Sequence, residues 1–128
     1  MNDIYLDHAA TTPMDQEVIN AIQPFYNEVF ANPASSHFSG QKSASALENA
    51  REAVAQLVGT KRAEEIVFTA GGTESDNLAI KGAAMALSDQ GKHIITSAVE
   101  HHAVLKSCEY LEKNLDFEIT YLDADQKG

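Results

Sequence analysis

The sequence is short of positive charge, of cysteine and of long apolar runs, and each shortage removes a class of function. Nine lysines and arginines face nineteen aspartates and glutamates, a formal net charge of -10, and a field of that sign repels nucleic acid and anionic membrane surfaces. Neither is expected as a partner. The single cysteine, Cys108, cannot close an internal disulfide, which fits a reducing, cytoplasmic compartment. No apolar run is long enough to span a bilayer, and no basic, apolar leader follows Met1, which points to the same compartment. Two nucleotide signatures are missing as well. There is no G-x-G-x-x-G, and no G-K-[ST] follows the one glycine pair, so nucleotide binding is not expected. No internal repeat or low-complexity tract is present.

What remains is an ordinary globular composition, 44 % hydrophobic and 22 % charged over 128 residues, enough for one domain with a core. Its organising stretch is Ile66 to Ala84, IVFTAGGTESDNLAIKGAA. Ile66 to Thr69 has the character of a buried strand. Ala70, Gly71 and Gly72 break it, and a helix is expected from Thr73 or Glu74 to about Gln90, with Gly91 as its stop. A strand that feeds a glycine turn and then a helix aims unpaired backbone amides and a partial positive charge at one point, which makes it a candidate anion seat.

Before it, Ile4 to Asp7 is a short apolar piece and Asp7 to Pro13 a loop. Asp15 is placed to cap a helix carrying Val18, Ile19, Ile22, Phe25, Tyr26 and Val29, with a bend at Pro24. A polar loop, Asn32 to His37, precedes a helix opening at Ser39 or Gly40. Its apolar positions are Ala44, Leu47, Ala50, Val54, Leu57 and Val58, and Gly59 stands where a left-handed terminal residue is wanted. Beyond the organising stretch, His93 to Ser97 is expected as a strand, Val104 to Leu115 as a helix with Cys108 on its apolar face, and Phe117 to Leu122 as a further strand. Strands alternating with helices predict an α/β layer with parallel pairing.

The glycine turn has two compatible readings. Gly71, Gly72 and Thr73 supply the amides and hydroxyl that a small phosphate needs, while Thr73 and Asp76 fit a capping box in which Thr73 closes the Asp76 amide and Asp76 reaches back. Glu74 and Asp76 oppose an anion of roughly two negative charges, so both carboxylates have to turn away and a cation from elsewhere would help. Glu100, His101 and His102 lie just past the strand His93 to Ser97, where open α/β sheets place their ligands. Adjacent histidines diverge and make a poor metal pair, so no metal site is assigned. His101 is either a solvated or capping residue, or an imidazole that stacks on an aromatic ligand and moves protons. His8, His37 and His93 receive no role, and Cys108 is a core thiol.

Four strings, YLDHAATTP (Tyr5 to Pro13), NPASSH (Asn32 to His37), EIVFTAGGTESDNLAIKG (Glu65 to Gly82) and VEHHAVLKSCEYL (Val99 to Leu111), resemble in order and spacing the N-terminal part of the cysteine desulfurases. These are pyridoxal-phosphate enzymes of the class V aminotransferase group that serve iron–sulfur cluster assembly. The resemblance covers essentially the whole chain. It implies the N-terminal part of the large domain of a fold-type I pyridoxal-phosphate transferase, a mostly parallel sheet flanked by helices. Residues 1–14 would form an arm and residues 15–128 an incomplete cofactor-binding domain. It further implies that Gly72 and Thr73 bind the cofactor phosphate and that His101 stacks on the pyridine ring and shuttles protons. The loops His8 to Thr12 and Asn32 to His37 would border the substrate entrance or a dimer contact. L-cysteine as substrate, a homodimer and an iron–sulfur scaffold protein as sulfur acceptor belong to the same expectation. Selenocysteine lyases and other class V transaminases share much of the pattern.

The resemblance also stops short. The lysine that these enzymes join to the cofactor follows a Ser-x-His-Lys type motif, and none of Lys42, Lys61, Lys81, Lys92, Lys106, Lys113 or Lys127 follows a histidine. The aspartate for the ring nitrogen, the arginine for the substrate carboxylate and the sulfur-accepting cysteine have no counterpart either, and Cys108 does not match the last of these. The chain is therefore expected to be the first third or so of a desulfurase, inactive alone. The other reading is a truncated, non-catalytic module that acts through self-association. The reading frame beyond Gly128 is expected to separate the two.

Overall fold

The computed structural model describes residues 4–127; Gly128 and the first three residues of the expected arm lie outside them. The chain divides into two compact units, Met1–Ile66 and Val67–Gly128.

In the first unit Asp15 caps α1 (Gln16–Ile22) as expected, its Oδ1 accepting the Glu17 N–H at 2.7 Å. The expected bent helix is two helices. Pro24 has no N–H to continue the ladder and takes the first position of α2 (Pro24–Asn27), which tolerates that loss. The loop from Asn32 folds on itself, Asn32 Oδ1 accepting the Ala34 N–H at 2.8 Å. His37 then caps α3 (Phe38–Val58), its Nδ1 accepting the Gly40 N–H at 3.2 Å. That cap starts the helix ahead of the expected Ser39 or Gly40 and gives His37 a role that its residue type did not announce. Gly40 is required by close approach: a Cβ there would stand 2.4 Å from the Ser35 carbonyl oxygen and 2.8 Å from that of Asn32. Gly59 ends α3 at φ 79° and ψ 16°, the left-handed conformation read for it. The apolar stripe assigned to α3 is not buried, however. Leu57 is 85 % exposed, and Gly40 and Ala55 are the buried residues of the helix.

The expected strand Ile66 to Thr69 is also corrected. Ile66 is extended, with φ -86° and ψ 120°, but its carbonyl accepts from the Arg51 guanidinium. The sheet among the described residues consists of two strands, neither of which includes this segment. Apolar, β-branched residues make a strand only where a neighbouring backbone supplies the ladder.

The second unit is built from α4 (Gly72–Ala86), β1 (His93–Ser97), α5 (His102–Leu115) and β2 (Glu118–Leu122). β1 and β2 pair in parallel, in the register His93 to Glu118 through Ser97 to Leu122, so the expected parallel β-α-β unit is present. Helix α4 stops short of the expected Gln90. The Leu87 N–H still reaches Ala83, but Ser88 Oγ takes the Met85 carbonyl at 2.9 Å and the Gln90 N–H turns to Leu87. Ala103, Ser107, Cys108 and Leu111 of α5 are buried, together with Phe117. The helix ends at Asp116 in left-handed conformation, φ 56°, and Lys92 Nζ donates to its Leu115 carbonyl at 3.0 Å. α4 packs along α5.

Candidate functional site

The glycine turn places the first bond of α4 later than its donors begin. Ser75 N–H to the Gly71 carbonyl, 3.1 Å, is the first helical bond, so the N–H groups of Gly72, Thr73 and Glu74 precede it without helical partners. The turn is held by hydroxyls. Thr69 Oγ1 and Ser75 Oγ lie 2.6 Å apart, and each reaches the Gly71 carbonyl, at 3.2 and 3.3 Å. The expected capping box between Thr73 and Asp76 is not formed. The helix begins at Gly72, which makes Glu74 its third residue, and Glu74 Oε2 reaches back to accept the Ala70 N–H at 2.7 Å.

Ala70, Gly71, Gly72, Thr73, Glu74 and Asn77 line an open pocket in front of the turn. Gly71 is extended, φ 167°, a backbone any residue adopts. What the glycines contribute is bare backbone beside open space, since a Cβ on either Gly71 or Gly72 would meet nothing within 4 Å. Glu74 borders the same pocket, with its carboxylate bound to the Ala70 amide.

His101 is the N-cap of α5, and its Nδ1 accepts the Ala103 N–H at 3.1 Å. The capping alternative left open by residue type is therefore realised. It has a chemical consequence: a lone pair used at Nδ1 puts the proton of the neutral ring on Nε2. In that form the ring offers a donor at Nε2, and it takes up a proton only by surrendering the cap.

The two helices bring these groups to one end of the unit. Lys81 Nζ of α4 stands 4.3 Å from the Tyr110 ring centroid of α5, each residue about two and a half turns into its helix. Met85 and Leu115, in the last turns of the two helices, border one small cavity. Matching depths at two levels mean that α4 and α5 run parallel, so the amides of Gly72 and Thr73 and the ring of His101 share an end.

Two members of this region escaped notice in the sequence. Asn77 Nδ2 donates to the Thr73 carbonyl at 2.8 Å, and Lys81 Nζ donates to Asn77 Oδ1 at 2.7 Å. Thr73, Asn77 and Lys81 recur every four residues, the spacing of neighbours on one helix face, and that was the available signal. Elsewhere on α5, burial pushes the Cys108 thiol above its ordinary range, as suits a core thiol that is 1 % exposed. Among the described residues no three metal-ligating side chains cluster.

A family profile described as Aminotransferase class-V matches residues 4–128. The chain is 58 % identical over 126 residues to the cysteine desulfurase IscS of Dictyoglomus turgidum, covering 98 % of this chain and 32 % of that protein. It is 52 % identical over 128 residues to the putative cysteine desulfurase IscS 1 of Bacillus subtilis, covering 100 % of this chain and 33 % of that one. Among solved structures, "SspA in complex with cysteine" superposes with a TM-score of 0.82 at 42 % identity, over 92 % of this chain and 33 % of the other. A NifS-like protein superposes with a TM-score of 0.80 at 37 % identity, over 88 % and 30 %. The chain thus spans about a third of the length of the relatives it matches.

Proposed function

The chain belongs to the aminotransferase class-V family, and from that membership we propose that it is the phosphate-holding segment of a pyridoxal-phosphate enzyme that takes sulfur from L-cysteine and leaves L-alanine. Identities of 58 % and 52 % to proteins named as cysteine desulfurases support that substrate over selenocysteine or a transamination partner. A homodimer, an iron–sulfur scaffold protein as acceptor and a cytoplasmic setting belong to the same reading, as do the division into an arm, residues 1–14, and a cofactor domain.

The observation that carries the reading is the bare glycine turn. Three amides without helical partners, the Thr73 hydroxyl and an open space before Gly71 and Gly72 suit a phosphate monoester in size and in donor chemistry. Pyridoxal phosphate, when bound, supplies an electron sink for the bonds around the substrate Cα. Gly72 and Thr73 hold the phosphate by their amides, and the Thr69–Ser75 hydroxyl pair keeps the turn from collapsing onto them. His101 presents a flat ring at the same end. As long as it caps α5 it donates from Nε2, and accepting a proton at Nδ1 releases the Ala103 amide. A proton-shuttling role for His101 is thereby coupled to fraying of the first turn of α5.

The test supplies L-cysteine and pyridoxal phosphate to this segment within its complete reading frame and follows products. Stoichiometric alanine and a protein persulfide are expected, with loss of both when Gly72→Val fills the turn. Transamination products from cysteine in place of alanine would overturn the reading.

A further inference from the structure

Building on that reading of the glycine turn, we propose that Lys81 and Asn77 are positioning residues for the phosphate, delivering a positive charge to the seat through the Thr73 peptide. The seat needs a cation because Glu74 borders it and the chain carries a net charge of -10. Lys81 is half-buried between α4 and α5. Its ammonium has an amide oxygen at 2.7 Å and an aromatic face at 4.3 Å, and it makes no ion pair among the described residues. Both of those partners are neutral, so its charge is not cancelled where it sits.

The Asn77 side chain passes that charge on. An ammonium can face only its oxygen and a carbonyl only its nitrogen, so Lys81 and the Thr73 carbonyl together leave the amide one orientation. The Thr73 carbonyl belongs to the same peptide group as the Glu74 N–H, one of the three amides that open onto the seat. A carbonyl polarised by a charge-assisted chain makes its own N–H a stronger donor. Asn77 also lines the pocket itself. Lys81 touches no phosphate in this arrangement; it acts through Asn77.

The alternative is that Lys81 merely braces α4 against Tyr110. The two are separated by titrating the uniformly 15N-labelled protein with pyridoxine 5′-phosphate, which has no aldehyde to react with lysines, and with pyridoxine as the phosphate-free control. In the wild type the amide resonances of Gly72, Thr73 and Glu74 are expected to move with the phosphate-bearing probe alone. Lys81→Met and Asn77→Ala should each weaken that response by about fivefold to tenfold, the size of one net hydrogen bond. Lys81→Arg, which keeps the charge, should stay within about twofold, and so should Tyr110→Leu, which removes the aromatic face. Wild-type affinity in Lys81→Met would overturn the inference and leave the seat standing. A loss in Tyr110→Leu equal to that in Lys81→Met would overturn it in favour of bracing. No amide response in the wild type would remove the seat and the inference together.

Discussion

At Gly40 one missing side chain decides how a loop meets a helix. The Asn32 to His37 loop lies so close to the first turn of α3 that a Cβ on residue 40 would overlap two of its carbonyl oxygens. Both obstacles are backbone, which cannot swing aside as a flexible side chain does. Gly40→Ala is therefore expected to destabilise the Met1–Ile66 unit by about 1–3 kcal/mol, the usual cost of overpacking, measured by denaturant unfolding against the wild type. An unchanged midpoint would mean that the loop moves freely off the helix. The glycines of the candidate phosphate turn are of another kind. Space is open around Gly71 and Gly72, so replacing them should cost ligand and not stability, and the same residue type serves two physical ends in one chain.

Along α5 one face is packed and the other is charged. On the charged side Glu109 accepts from Lys106 Nζ at 2.6 Å and from Lys113 Nζ. Hydrogen bonds from Lys106 and then Lys113, with their charges, hold the Glu109 carboxyl down from 4.5 to about 2 and push Lys113 up. A carboxyl depressed in the folded state contributes stability that is present above its unfolded value, near 4.5, and lost as pH falls through about 2. Thermal unfolding should accordingly show a fall in Tm between those two values that Glu109→Gln makes shallower. The difference should shrink in 1 M salt, because exposed pairs are screened. A parallel fall in both proteins would assign the acid sensitivity to other carboxyls. The end of α5 nearer the candidate site has no such support. Its first turn is held by the His101 side-chain cap and by the Val104 and Leu105 bonds to the His101 carbonyl.

Over the whole molecule, little of the apolar surface is put away. Leu111 and Cys108 head a small core, while Ile95, Tyr121 and Leu122 of the sheet and Val67 and Phe68 before the glycine turn are exposed. A two-stranded parallel sheet with apolar residues in the open is not self-sufficient, since such sheets are normally covered on both faces. The 128-residue chain is expected to self-associate at micromolar concentrations in sedimentation experiments. With pyridoxal phosphate added and borohydride used to trap it, no single lysine should be labelled selectively, because none follows a histidine. One lysine modified stoichiometrically would refute that. The sequence by itself determined the Asp15 cap, the Gly59 stop, the parallel β-α-β unit and the glycine turn ahead of α4, for these rest on local chemistry and spacing along the chain. Only the tertiary structure decided that Ile66 to Thr69 stays outside the sheet, that Leu57 is exposed, and that Lys81 of α4 meets the Tyr110 ring of α5. Ladder partners, burial and a contact between helices depend on which segments become neighbours, and no spacing along one chain specifies that. The candidate phosphate seat stands between the two: its amides were legible in the glycine pair, but the open pocket they border is a property of the fold.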